Sequence, residues 1–276
     1  MALRASLLPL AALGLLLTTG CEPTDTDGDG LSDKEEEERG TDPNSADTDG
    51  DGLTDLEEVE LGTYPTSADT DEDTYSDGIE VDAGTNPKDY YDRIYEGFWP
   101  YNPNKDDMGD GAFDKSVGEQ FARLTFTDQY GDDVDLYDFA YQDAYILFDI
   151  SEVWCGYCKE MAKWLEGQSS FYDGYPEWSA IPEAVENGDL IWLTILTGDS
   201  SGGTAEQKDA ENWASKYPHP LVPVMIDPDK SLYDLGINGF PSVGLLTDEF
   251  VWEKNIKDYT KSFDAAVEWL ETEKGY

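Results

Sequence analysis

The chain has 276 residues, with 62 Asp and Glu against 17 Lys and Arg, and a formal net charge of −45. That balance argues against nucleic acid as a partner, because phosphate contacts need clustered Lys and Arg, and favours divalent cations, whose ligands are packed carboxylates. A hydrophobic fraction of 39% and an aromatic fraction of 13% suffice for one large or two small cored domains. The acid is uneven: residues 22–89 hold 25 Asp and Glu against 3 Lys and Arg, leaving 37 against 14 elsewhere.

The chain opens "MALRASLLPLAALGLLLTTGC". One positive charge, Arg4, an apolar run from Leu7 to Leu17, and then small residues describe a secretory signal peptide over residues 1–20. The run is short for a membrane span. "LTTGC" resembles a bacterial lipobox, with Thr18 where leucine usually stands. The resemblance implies that Cys21 becomes the lipidated first residue, and Glu22 after it points to the outer membrane. The expectation is an exported protein, lipid-anchored in the cell envelope, where disulfides persist.

Three segments then align without gaps: "DTDGDGLSDKEE" (25–36), "DTDGDGLTDLEE" (47–58) and "DTDEDTYSDGIE" (69–80), followed by "GTDPNSA", "GTYPTSA" and "GTNPKDY". The period is 22 residues. Carboxylates fall at positions 1, 3, 5, 9 and 12, and position 6 is Gly in the first two copies. This is the ligand order of a twelve-residue calcium loop, with glycine for the sharp turn and a final Glu able to bind through both oxygens. The expected ligands are Asp25, Asp27, Asp29, Asp33 and Glu36; Asp47, Asp49, Asp51, Asp55 and Glu58; and Asp69, Asp71, Asp73, Asp77 and Glu80. The carbonyls of Leu31, Leu53 and Tyr75 complete each shell. Without a cation, such mutually repelling groups with little apolar surface favour disorder. In the third copy Thr74 takes the place of the turn glycine, where a left-handed backbone is costly for a β-branched residue. Twenty-two residues leave little room for a helix on both sides of each loop, which argues against paired EF-hands. Residues 25–88 instead resemble thrombospondin type 3 repeats, which implies a calcium-binding segment over residues 21–90.

Residues 91–115 read as an aromatic connector that packs onto the next domain. Within it "DDMGDGAFD" (106–114) keeps Asp106, Asp110 and Asp114 at positions 1, 5 and 9 of a calcium loop, but Met108 and Val117 stand at two ligand positions, so no metal is expected there.

From residue 116 short apolar runs alternate with helical spacing. "ARLTFTDQYGDDVDLYDF" predicts a β-hairpin and a short helix, and "AYILFDI" (144–150) a buried strand. "CKEMAKWLEGQ" has helical spacing at Met161, Trp164 and Leu165. "DLIWLTILT" is a second buried strand, and "TAEQKDAENWASKY" a helix capped by Thr204. "VPVMID" is a strand, "PSVGLLT" with "FVWEKN" a late hairpin, and "YTKSFDAAVEWLETEK" a closing amphipathic helix. The pattern predicts an α/β fold with a mixed central sheet flanked by helices over residues 116–276.

Where the first buried strand passes into a helix stands "VWCGYCKEM" (153–161). The spacing of Cys155 and Cys158 suits a redox pair, half a zinc site or a structural disulfide. A structural zinc site needs four Cys or His ligands; the chain has three Cys and one His, and Cys21 is expected to be lipidated, so no zinc quartet can be built within one chain. A copper-delivery site of the Sco type would want CxxxC and a distal His; His219, in "YPHPLVP", reads as a strand-edge surface residue. A peroxiredoxin would lack the CxxC partner.

"ILFDISEVWCGYCKEM" resembles the active-site segment of thioredoxins, with Trp154 before the first cysteine and Asp149 six residues ahead of it. "GINGFPSVGLL" (236–246) resembles that family's cis-proline loop, and "VGEQF", "VDLYDF" and "SKYPHPLVPVMIDPDKSLYDLGINGFP" resemble its extracytoplasmic redoxin and TlpA-like branch. The resemblance covers residues 117–276. It implies a thioredoxin-like fold in which Cys155 is the nucleophile, Cys158 the resolving thiol, Asp149 the buried proton relay and Pro241 the residue facing the cysteines, with no cofactor in that domain. Gly156 and Tyr157 would tune the redox potential. The expected function is an exported thiol–disulfide oxidoreductase, most simply a reductase, acting on protein thiols and disulfides with an electron partner in the envelope and held by a calcium-binding acidic stalk. The rival is a calcium-dependent surface or adhesion lipoprotein whose thioredoxin-like domain is a redox-inert scaffold.

Overall fold

A computed structural model describes residues 24–237, 239–256 and 258–276; the leader and Cys21 lie outside them. Among the described residues no helix is long and apolar enough to cross a membrane. The backbone separates into two compact units, the chain up to Ala68 and Asp69–Tyr276.

In the first unit each repeat is an acidic loop followed by one short helix, α1 (Asp33–Arg39) or α2 (Asp55–Leu61). The helices start at capping boxes, Ser32 with Glu35 and Thr54 with Glu57, which satisfy N–H groups left without helical partners. They stop at Gly40 and Gly62, both with left-handed backbone. Leu31 and Leu53 bury their side chains under the loops. One helix per repeat is what a 22-residue period allows.

The third repeat has the same plan, with α3 at Asp77–Ala83, but belongs to the second unit. Its cap, Ser76, makes no side-chain cap bond, and Ile79 stands where the first two repeats have the Glu of their capping boxes. The expected division after residue 90 thus separates sequence motifs; the packed unit begins at Asp69.

The second unit is built on seven strands: β1 (Thr125–Thr127), β2 (Asp133–Asp135), β3 (Tyr145–Glu152), β4 (Leu190–Gly198), β5 (Val224–Ile226), β6 (Ser242–Leu246) and β7 (Trp252–Lys254). Their order is β2-β1-β5-β4-β3-β6-β7. β3, β4 and β5 are parallel, whereas β6 runs antiparallel to β3 and β1 antiparallel to β5. The central strands are apolar on both faces because both are covered. Helices α4 (Gly156–Leu165), α5 (Ala180–Glu186) and α7 (Tyr259–Trp269) cover one face, where Met161, Trp164, Ile181 and Phe263 meet Leu147, Trp192, Val243 and Leu245. Helix α6 (Gln207–Lys216) packs Ala210 and Trp213 on Leu196, Val224 and Ile226. This mixed α/β sheet is the thioredoxin-like architecture implied above.

The opposite face, with Ile146, Phe148, Ile150, Leu193 and Ile195, is covered in part by the connector. Tyr95 and Trp99 are buried there, each burial contributing on the order of 2 kcal/mol. The Tyr95 hydroxyl donates to Asp138 at 2.6 Å, and Lys105 pairs with the same buried carboxylate at 2.6 Å. The connector is therefore part of the core.

Two expectations need correction. Thr204 does not cap α6; it bridges to Gly198, and the cap is Glu206, paired with Asp209. His219 is half-buried in a loop, not on a strand edge, and its Nδ1 accepts the Leu221 N–H at 3.2 Å. The helix α5 had no counterpart in the sequence reading.

Candidate functional site

The parallel β3 ends at Glu152, and the turn that follows is held at both sides. Val153 donates to the Gly198 carbonyl at 3.0 Å and Cys155 to the Glu152 carbonyl at 3.0 Å. Cys155 is then the N-cap of α4: its sulfur accepts the Cys158 N–H at 3.1 Å. Cys155 and Cys158 form a disulfide with Cα atoms 5.4 Å apart. Both are buried, 3% and 1% exposed, in a pocket of Leu196, Val224 and Ile226. The flanking Trp154 and Tyr157 are half exposed, at 51% and 57%.

Asp149 shares its strand face with Leu147, two residues earlier, which packs against the α4 residues Met161, Trp164 and Leu165. The carboxylate therefore lies on the sheet face that α4 covers. It is 4% exposed. Burial pushes its pKa up to about 7, against the pull of hydrogen bonds from Ser151, Thr194 and Trp192. Ser151 Oγ reaches both oxygens, at 2.9 and 3.0 Å, and Thr194 Oγ1 one of them at 3.4 Å. A carboxyl poised near neutrality can take and return a proton.

Pro241 is buried immediately ahead of β6, whose Ser242 pairs with Ile150 of β3. That register sets it beside the strand end from which the cysteine turn leaves. The Phe240–Pro241 peptide is cis. Phe240 meets Trp154 edge to face, with ring centroids 6.1 Å apart. A groove of about 350 Å³ runs along this loop, lined by Phe240, Pro241, Ser242, Ile256 and Tyr259.

One residue of this site was missed. Glu152 is 2% exposed, accepts the Tyr233 hydroxyl and a 3.5 Å bond from Thr197 Oγ1, and its carboxylate lies over Gly198, 2.9 Å from where a Cβ would stand. Its one sequence signal was an acidic residue two positions past the run read as a buried strand, which the structure extends to Glu152.

In the repeats, the carboxylates at positions 1, 3 and 5 converge. Asp25, Asp27 and Asp29, Asp47, Asp49 and Asp51, and Asp69, Asp71 and Asp73 each bring one oxygen within 4.8 Å of the others. The position-12 glutamates Glu36, Glu58 and Glu80 are fully buried. Neither oxygen of Glu36 has a hydrogen-bond partner; burial and then Asp27 and Asp29 push its pKa up to about 7. Glu80 is likewise pushed up to about 8, by burial and then by Asp73 and Asp71. Buried carboxylates facing other carboxylates fit a bound cation, which would supply the missing charge. The position-9 residues do something else here. Asp33, Asp55 and Asp77 each accept the backbone N–H and the hydroxyl of the Thr at position 2, Thr26, Thr48 or Thr70, at 2.6–3.0 Å. The repeated "DT" was the signal for this clasp. Positions 4 and 6 carry positive φ in all three loops, on Gly28 and Gly30, Gly50 and Gly52, and then on Glu72 and Thr74. The connector acids form no fourth loop: Asp106 pairs with Arg123 at 2.5 Å.

A family model described as the bacterial TSP3 repeat matches residues 25–46, 47–68 and 69–89. No curated protein matches the chain. Among solved structures the chain is similar to a thioredoxin-like protein from Bacteroides caccae, at 17% identity and a TM-score of 0.42, over 58% of this chain and 50% of that one. It is also similar to the thioredoxin domain of a thiol-disulfide oxidoreductase from Bacteroides vulgatus (16% identity, TM-score 0.38, 55% and 96% of the chains). A third is the pneumococcal exposed lipoprotein thioredoxin from Streptococcus pneumoniae (17%, 0.38, 53% and 98%). The match thus spans half the length of the first of these. The repeat match, with the sheet order and the CxxC turn described above, defines a two-part chain of bacterial TSP3 repeats followed by a thioredoxin-like domain.

Proposed function

We propose that the protein is an exported thiol–disulfide oxidoreductase that works through Cys155 and Cys158. The observation that carries this is the Cys155 sulfur capping α4 above the sheet face that holds buried Asp149. Acting as a reductase, the Cys155 thiolate attacks one sulfur of a substrate disulfide, and the other substrate sulfur leaves as a thiolate. Cys158 then attacks Cys155 Sγ, re-forming the disulfide and releasing the second substrate thiolate. Two electrons pass from the dithiol to the substrate. Asp149 takes the Cys158 proton during the second step. The groove beside Pro241 takes an extended segment of a protein substrate. An electron partner in the envelope restores the dithiol.

The acidic segment binds calcium and acts as a spacer from a lipid-anchored Cys21, on the envelope side of the outer membrane or at the cell surface. The carboxylates at positions 1, 3, 5 and 12 would hold the ion, and its role is structural. Chelation should then shorten and loosen the spacer; an unchanged hydrodynamic radius would count against it.

The burial of both sulfurs favours a second reading, a redox-inert scaffold in a calcium-dependent adhesion protein. Insulin reduction by the wild type and by Cys155→Ser separates the two. Turnover that the substitution abolishes supports the oxidoreductase, and equal inertness supports the scaffold.

A further inference from the structure

The three acidic loops share one plan, but they differ in what lies behind the seventh residue. In the first two it is a leucine, Leu31 or Leu53. In the third it is Tyr75, whose ring is buried and whose hydroxyl donates to the Trp99 carbonyl at 2.9 Å. Trp99 Nε1 in turn donates to Asp128 Oδ2 at 2.6 Å. The other oxygen of Asp128 accepts the N–H groups of Tyr130, Gly131 and Asp132, the turn between β1 and β2. The Asp128 carbonyl accepts Gln207 Nε2, at the start of α6. A chain of buried or partly buried bonds therefore runs from the acidic loop into the thioredoxin-like sheet.

The loop itself is incomplete as a protein-only structure. Glu80 is fully buried and its Oε2 has no partner; the same holds for Oδ2 of Asp73, also fully buried. Asp73 converges with Asp69 and Asp71, and Glu80 lies in the field of Asp71 and Asp73. Among the described residues Arg93 is the one cationic side chain whose charge is felt at Asp73, and it makes no hydrogen bond to the free oxygen of Asp73 or Glu80. Unpaired buried carboxylates are destabilising, and a cation relieves them while fixing the loop backbone at Tyr75.

We propose that the third loop is a structural calcium site of the redox unit itself. The ion held by Asp69, Asp71, Asp73 and Glu80 orders Tyr75, which holds Trp99 and the β1–β2 turn, so calcium stabilises the thioredoxin-like fold as well as the spacer. This rests on the calcium reading of the repeats and gives the third copy a role that the first two do not share.

All eight tryptophans, Trp99 to Trp269, lie in the second unit, so their fluorescence follows that unit alone during heating. The experiment melts the full-length chain in calcium chloride and in EGTA, with calcium binding counted in parallel by calorimetry. At a hundredfold excess over Kd, calcium should raise the tryptophan midpoint by roughly 5–10 °C. Glu80→Gln should remove most of that rise, Glu36→Gln in the first repeat should keep it, and Tyr75→Phe should keep the bound ion yet lose part of the rise. If Glu80→Gln does not fold, Asp71→Asn, at a half-buried position, replaces it with the same expectation. Binding at all three repeats with an unmoved tryptophan midpoint would overturn this inference and leave the calcium reading standing. No binding at any repeat would overturn both. Equal loss from Glu36→Gln and Glu80→Gln would also overturn it, because the effect would not belong to the third loop.

Discussion

Ser151 donates its hydroxyl to Asp149, 2.9 Å from Oδ1 and 3.0 Å from Oδ2, inside the sheet that carries the cysteine turn. The bond favours the charged carboxylate while burial disfavours it, and burial wins, leaving the group near pH 7 instead of its ordinary 3.8. Between those values the folded protein holds a proton that the unfolded chain has released. The sign follows: this stability is fully present below about pH 4 and is lost as pH rises through about 7. The cost above pH 7 is on the order of 4 kcal/mol. Asp149→Asn should therefore stabilise the oxidised protein at pH 8 far more than at pH 4, as denaturant titration at the two values would measure. The same variant should slow resolution of the mixed disulfide by roughly 10²-fold or more, if Asp149 is the base. Ser151→Ala should move the midpoint of that step to higher pH.

The Tyr233 hydroxyl donates to Glu152, and its ring lies 5.9 Å from that of Phe240, the residue before Pro241. Burial and then this bond push the Tyr233 pKa up to about 12. The pair ties the end of β3 to the proline loop. Tyr233→Phe leaves Glu152 with only the long bond from Thr197 among the side-chain bonds described, and should cost about 1–3 kcal/mol. It should also raise KM for a protein substrate while kcat changes little, because Phe240 is loosened and the cysteines are untouched. Insulin-reduction kinetics beside a denaturant titration would check both effects.

Thr74 has φ +88° and Glu72 φ +64°, at the positions glycine holds in the first two loops. Left-handed backbone costs a residue with a Cβ about 1–2 kcal/mol. Thr74→Gly should therefore strengthen calcium binding at the third loop by roughly tenfold, and Glu72→Gly should add to it. Calorimetric titration of the full chain would show the weakest binding step shift to lower calcium.

Sequence spacing made the cysteine pair and the converging carboxylates legible, and the resemblance to thioredoxins marked Asp149 and Pro241, because each rests on a local pattern or a marked loop. The contacts that tie them into one body are long-range and have no local signature. Tyr75 meets Trp99 across 24 residues, Tyr95 meets Asp138 across 43, and Tyr233 meets Glu152 across 81. Hence the aromatic content of the connector announces that it packs on the next domain, but not which residues it meets there. Thr204 was misplaced for a local reason: it is a strong cap former, but Glu206 with Asp209 satisfies the first turn of α6 two residues later. The roles of Asp33, Asp55 and Asp77 were open to inspection, since each repeat also supplies a Thr that its position-9 carboxylate can clasp.

The central claim is that Cys155 and Cys158 exchange electrons with protein substrates. Equilibrating the purified protein against dithiothreitol or glutathione buffers and counting free thiols gives the reduction potential of the pair. A working reductase should give a value near −270 mV, about that of thioredoxin, with insulin turnover that Cys155→Ser abolishes. A potential below about −300 mV without turnover is the behaviour of a structural disulfide and would contradict the account.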